Sequence, residues 1–62
     1  MQPRLLQHIK YNNIELDLWK VRNFYKKYEI VITDNRNVQI YEFLKLIDAQ
    51  KFFKSQQLIL AS

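Results

Sequence analysis

The sequence predicts an α+β fold: an antiparallel meander of three to four strands with one C-terminal amphipathic helix packed on one face. Three observations predict it. Apolar residues alternate with period two in several runs before Leu44, the period changes to about 3.6 from Leu46 onward, and asparagines stand between the runs where turns are needed. Strands first and a helix last is the order that buries a helix stripe against one face of a sheet. With no repeat, linker or low-complexity tract, residues 1–62 read as a single small domain whose first four residues, containing the only Pro, form an unstructured start.

The first strand is expected at about residues 5–11, "LLQHIKY", followed by Asn12 and Asn13 as a two-residue turn with both residues at positive φ. The second, about residues 14–22, alternates Ile14, Leu16 and Leu18 against Glu15, Asp17 and Trp19. The third, about residues 27–34, alternates Tyr28, Ile30 and Ile32 against Glu29, Val31 and Thr33. Its β-branched content suits a pleated, half-buried surface. The fourth is "VQIYEF", about residues 38–43. The connection "TDNRNV" is read as a three-residue bulged loop, Asn35 to Asn37, with Asn37 in the left-handed region, because that loop opposes Ile32 to Ile40 whereas a two-residue loop opposes Ile32 to Gln39.

The helix is expected at about residues 46–58. On a helical wheel Leu46, Ala49, Phe52, Phe53, Ile59 and Leu60 share one arc, with Lys51, Lys54 and Ser55 opposite, and Asp48 in the first turn suits the helix dipole. Gln56 interrupts that arc, and Ile47 and Leu58 fall on its polar side. Regular helix is therefore expected to weaken after Ser55.

Composition excludes several function classes. The chain has no Gly, so the phosphate-cradling and dinucleotide-binding loops that need positive φ and close backbone approach are absent, and Asn must serve wherever a turn needs φ > 0. It has no Cys, so neither disulfides nor thiolate metal sites are available. The first residues lack the pattern of a signal peptide, and no apolar run approaches the roughly 18 residues of a membrane span, so a cytoplasmic setting with no membrane is expected. A chain this short sits near the lower limit for folding alone, and a protein partner or a second copy would add to its buried area.

The helix covers one sheet face, which leaves the other without cover. On it alternation places Glu15, Asp17, Trp19, Val21, Glu29, Val31, Thr33, Gln39 and Tyr41. Trp19, Val21, Val31 and Tyr41 make an apolar centre with Glu15, Asp17 and Glu29 as its acidic rim, a composition suited to a protein interface. Single apolar residues on a solvated sheet are ordinary, but a Trp seldom stands there without a neighbour to pack on.

The stretch "WKVRNFYKKY" gathers Lys20, Arg22, Lys26 and Lys27 with Phe24 and Tyr25 at one end of the sheet. Cations that contact phosphate beside aromatics that stack on bases make a sequence-tolerant platform for single strands. The net charge of +4 and the pI near 9.6 fit nucleic acid and an acidic protein equally. Glu15, Asp17 and Glu29 would repel phosphate from the open face, which confines any such contact to the strand end and to Lys45, Lys51 and Lys54. Three strands followed by "EFLKLIDAQKFF" are loosely similar, in hydrophobic spacing and in no motif residue, to the small DNA-binding arm domains of tyrosine recombinases; the likeness assigns no family.

His8 is the only His and lies on the polar side of its strand, where no nucleophile accompanies it. Glu15 and Asp17 lack the further oxygen ligands a cation needs. The chain is accordingly expected to be a non-enzymatic accessory or regulatory protein, without cofactor, metal or small-molecule substrate. It would bind a larger protein, or its own copy, through the uncovered face; nucleic-acid binding at the basic end is the alternative.

Overall fold

The computed structural model describes residues 2–22 and 27–61. Four strands, β1 (Arg4–Tyr11), β2 (Ile14–Lys20), β3 (Tyr28–Asp34) and β4 (Asn37–Phe43), lie in one antiparallel sheet in the order of the chain, and a helix, α1 (Leu46–Ala61), packs on one face. This is the α+β meander.

Two asparagines turn the chain. Asn12 takes φ 54° between β1 and β2, and Asn35 takes φ 56° between β3 and β4. Asn tolerates the left-handed region because its short amide bonds locally. Asn13, expected to share the positive φ, does not. The second turn also differs from the bulged loop expected there. Asp34 faces Asn37 around the two residues Asn35 and Arg36, so Ile32 faces Gln39 and Val31 faces Ile40.

The reason lies in what the helix covers. The two-residue turn sends Tyr41 and Phe43 to the helix side, where the ring of Phe52 lies 4.6 Å from Tyr41 and 5.4 Å from Phe43, centroid to centroid. Offset and tilted pairs of this kind add about 0.5–1.5 kcal/mol each to the area they bury. Two aromatic contacts outweigh the single aliphatic pair, Ile32 with Ile40, that the longer loop would have made.

Leu16, Leu18, Ile30, Ala49 and Phe53 form the core, each no more than 2% exposed. Ile9, Tyr28, Ile32, Phe43, Phe52 and Leu60 pack around them. Ala49 and Phe53 present the helix to β2, β3 and β4, and the small Ala49 lets the helix axis approach the sheet. The helix runs unbroken to Ala61 and does not weaken after Ser55. Gln56 is half-buried and lines a recess of about 440 Å³ with Ile14, Ile32, Gln39 and Leu60, whose polar lining a Gln side chain suits. Two members of the expected arc do not reach the core: Leu46 is 36% exposed and Ile59 63%. Among the described residues no helix is long and apolar enough to cross a membrane.

Asn35→Ala should destabilise the fold by about 1–2 kcal/mol, since a Cβ in the left-handed region meets the following carbonyl without the amide's compensation. Asn37→Ala should change stability by no more than about 0.5 kcal/mol. Denaturant titration of the two variants reads the difference, and the opposite ranking would restore the longer loop.

Candidate interaction surfaces

The registers of the three strand pairs fix the face that the helix leaves open. Three rows of side chains cross it: Leu5, Trp19, Glu29 and Glu42; then His8, Asp17, Val31 and Ile40; then Lys10, Glu15, Thr33 and Val38. Tyr41 and Gln39, expected on this face, are on the other one. Tyr41 packs on Phe52, and its hydroxyl donates to Gln39 Oε1 at 3.1 Å. Tyr41 is thereby removed from the expected interface, and Ile40 and Val38 take its place.

The remaining residues of that centre come together. Trp19, Val21 and Val31, with Pro3 and Glu29, line a shallow recess of about 210 Å³. Trp19, Val21 and Val31 are each half-buried. Leu5 stands directly across from Trp19 and extends the apolar surface toward β1. Nothing in the alternation of β1 alone predicts this, because the ladder with β2 shifts between Leu5 and Gln7. A bulge of one residue at Leu6 exchanges the faces of everything before it.

The acidic rim is partly countered within the chain. His8 Nδ1 bonds Asp17 Oδ1, and Lys10 lies directly across from Glu15. Such a pair can orient a His. Among the described residues no group of three or more His, Asp or Glu is placed to hold a metal ion. Glu29 and Glu42 lie across from each other at one corner of the face.

Alternation divides the end of β2 between the two faces. Trp19 and Val21 belong to the open face, whereas Lys20 stands on the opposite one, across from Arg4 on β1 and Tyr28 on β3. Arg4, Lys20 and Arg22 share a recess of about 170 Å³ with Gln2, and Lys20, Arg22 and Lys27 share an adjoining one of about 340 Å³ with Val21 and Tyr28. Backbone bonds from Val21 N–H to the Lys27 carbonyl, 2.8 Å, and from Lys27 N–H to the Phe43 carbonyl, 3.1 Å, hold the two sides of this end together. Phe24, Tyr25 and Lys26, expected to take part, lie outside the described residues. Arg4 is an addition that the sequence reading passed over; only the bulged register brings it against Lys20. Lys45, Lys51 and Lys54 are exposed around and along α1.

No protein-family model matches the chain, and neither a curated protein nor a solved structure does so.

Because like charges directly opposite one another oppose strand pairing, Arg4→Glu should stabilise the fold by about 0.2–1 kcal/mol through its new neighbour Lys20. Thermal melts at low and at about 1 M salt test this, with the gain fading as salt screens the pair. A loss of stability at low salt would show that Arg4 is held by something other than its repulsion from Lys20.

Proposed function

We propose that the chain is a non-enzymatic accessory or regulatory module that binds a larger protein through the open face of its sheet. The observation that carries this reading is the recess around Trp19. It combines an aromatic anchor, aliphatic walls from Val21 and Val31, and an acidic edge from Glu29, on the face to which the helix contributes nothing. A large rigid ring excludes water there at low entropic cost, which is why Trp so often dominates the energy of an interface. The partner that suits this surface presents an apolar side chain to the recess and Arg or Lys to the corner of Glu29 and Glu42. A cytoplasmic setting belongs to the same reading, since the chain carries no Cys for an oxidising compartment to use.

Capture from native lysate on immobilised protein tests it, with nuclease present and at high salt. The unmodified chain is expected to retain a defined protein under these conditions and Trp19→Ala to lose it, because removing such an anchor costs about 2 kcal/mol or more, roughly a thirtyfold loss of affinity. Circular dichroism should show the variant folded, since Trp19 lies outside the core. Equal capture by both proteins, or unfolding of the variant, would refute the reading.

A second reading is favoured by the basic end, where Arg4, Lys20, Arg22 and Lys27 line two adjoining recesses. Here the ligand is the phosphate backbone of a nucleic acid. Anisotropy with short oligonucleotides should then show log K falling with log salt at a slope of about −3 for four phosphate contacts. Changing the four residues together to Gln should abolish the binding. Absence of binding by the unmodified chain at about 50 mM salt would end this reading.

A further inference from the structure

The sheet has two edges, and they are built differently. β1 is preceded by Pro3, carries Arg4, His8 and Lys10, and has its ladder broken by the bulge at Leu6. Bulges, cations and Pro are the means by which an edge is kept from pairing with another chain. β4 has none of them. It is seven residues long, its register with β3 never shifts, and its one charged residue is Glu42. Val38 and Ile40 are 58% and 56% exposed, and Tyr41 38%. Because the ladder closes on a two-residue turn at Asp34 and Asn37, the pairs Ile32–Gln39 and Ile30–Tyr41 exchange backbone bonds, and the N–H and C=O groups of Val38 and Ile40 point away from β3.

We infer that two copies of the chain pair antiparallel along β4, about a two-fold axis through Ile40, and join their sheets into one of eight strands. Three observations name a second copy as the occupant. The strand is complementary to itself about Ile40: Asn37 meets the partner's Phe43, Val38 the partner's Glu42, Gln39 the partner's Tyr41, and Ile40 its own equivalent. No like charges are opposed, although the chain as a whole carries +4.

The second observation is Ile59. It lies two turns beyond Phe52 on the same side of α1, and Phe52 stacks on Tyr41 and Phe43, so Ile59 is held on the β4 side of the helix with 63% of its surface exposed. A two-fold through Ile40 puts both helices on one side of the joined sheet and brings the partner's β4 beneath Ile59.

The third is area. The chain exposes 5038 Å², whereas a monomer of its mass of 7.7 kDa ordinarily exposes about 4,300 Å². Val38, Ile40 and Ile59, each more than half exposed, hold part of that excess at the β4 edge.

This edge is separate from the recess around Trp19, so the pairing stands or falls independently of the function proposed above. Sedimentation equilibrium of the full chain and three variants tests it, with circular dichroism as the check on folding. The unmodified chain should show a concentration-dependent dimer, and Trp19→Ala should leave its dissociation constant within about twofold. Val38→Lys faces the partner's Glu42 twice per dimer and should tighten the association, whereas Val38→Glu should weaken it by about tenfold. That order is the reverse of what net charge alone would give, because Lys raises the repulsion between two +4 chains and Glu lowers it. A strict monomer at about 1 mM, a dimer lost in Trp19→Ala, or Val38→Glu associating as well as Val38→Lys would each overturn the proposal.

Discussion

Every assignment on β4 depends on Asn35 holding its backbone at φ 56°. With that torsion the turn closes in two residues, and the strand leaves it with Tyr41 and Phe43 toward the helix and Val38 and Ile40 toward solvent. One residue more in the turn would exchange the two sets. The aromatics make the choice worthwhile: they give Phe52 two rings to lie on and so seat the helix across β2, β3 and β4. The surface chemistry of the open face and the packing of the covered one are therefore set by the same local geometry. In a chain without Gly, only an Asn could supply it.

The core that results is small. Among the described residues five side chains are enclosed, and the other apolar residues are half-buried or exposed. At this size the area removed from water by one chain is nearly offset by the conformational entropy of ordering it, so each additional apolar contact matters. Half-burial of Trp19, Val21 and Val31 on the open face and exposure of Ile40 and Ile59 near the edge are where further contact can be gained. Exposed or half-buried apolar area of the fold includes the recess around Trp19 and the edge at β4.

Much of this was legible in the residues. The alternation of Leu16 and Leu18 against Asp17 and Trp19, and of Ile30 against Val31, sorted β2 and β3 onto their two faces, because central strands flanked on both sides have little freedom of register. β4 was misread by weighing aliphatic pairs above aromatic ones, when Tyr41 and Phe43 bury the larger area. The helix was expected to weaken at Gln56 on the ground that a polar residue ends an apolar arc, but a partly polar recess beside Leu60 accommodates it. Arg4 and Leu5 escaped notice since a bulge leaves no mark in composition or period.

That bulge has a consequence for how far the chain can assemble. A sheet with two regular edges can add neighbours without limit, each new copy offering a fresh strand end, and this open-ended growth underlies fibres. At Leu6 the extra residue pushes one backbone unit out of the plane of β1 and increases its twist. Loss of that single residue would keep the pairings of Leu5 with Trp19 and Arg4 with Lys20 while straightening the strand between them. If copies pair along β4 as inferred above, that change would open the second edge to the same pairing. In those terms Leu6 would be a chain terminator for the inferred pairing.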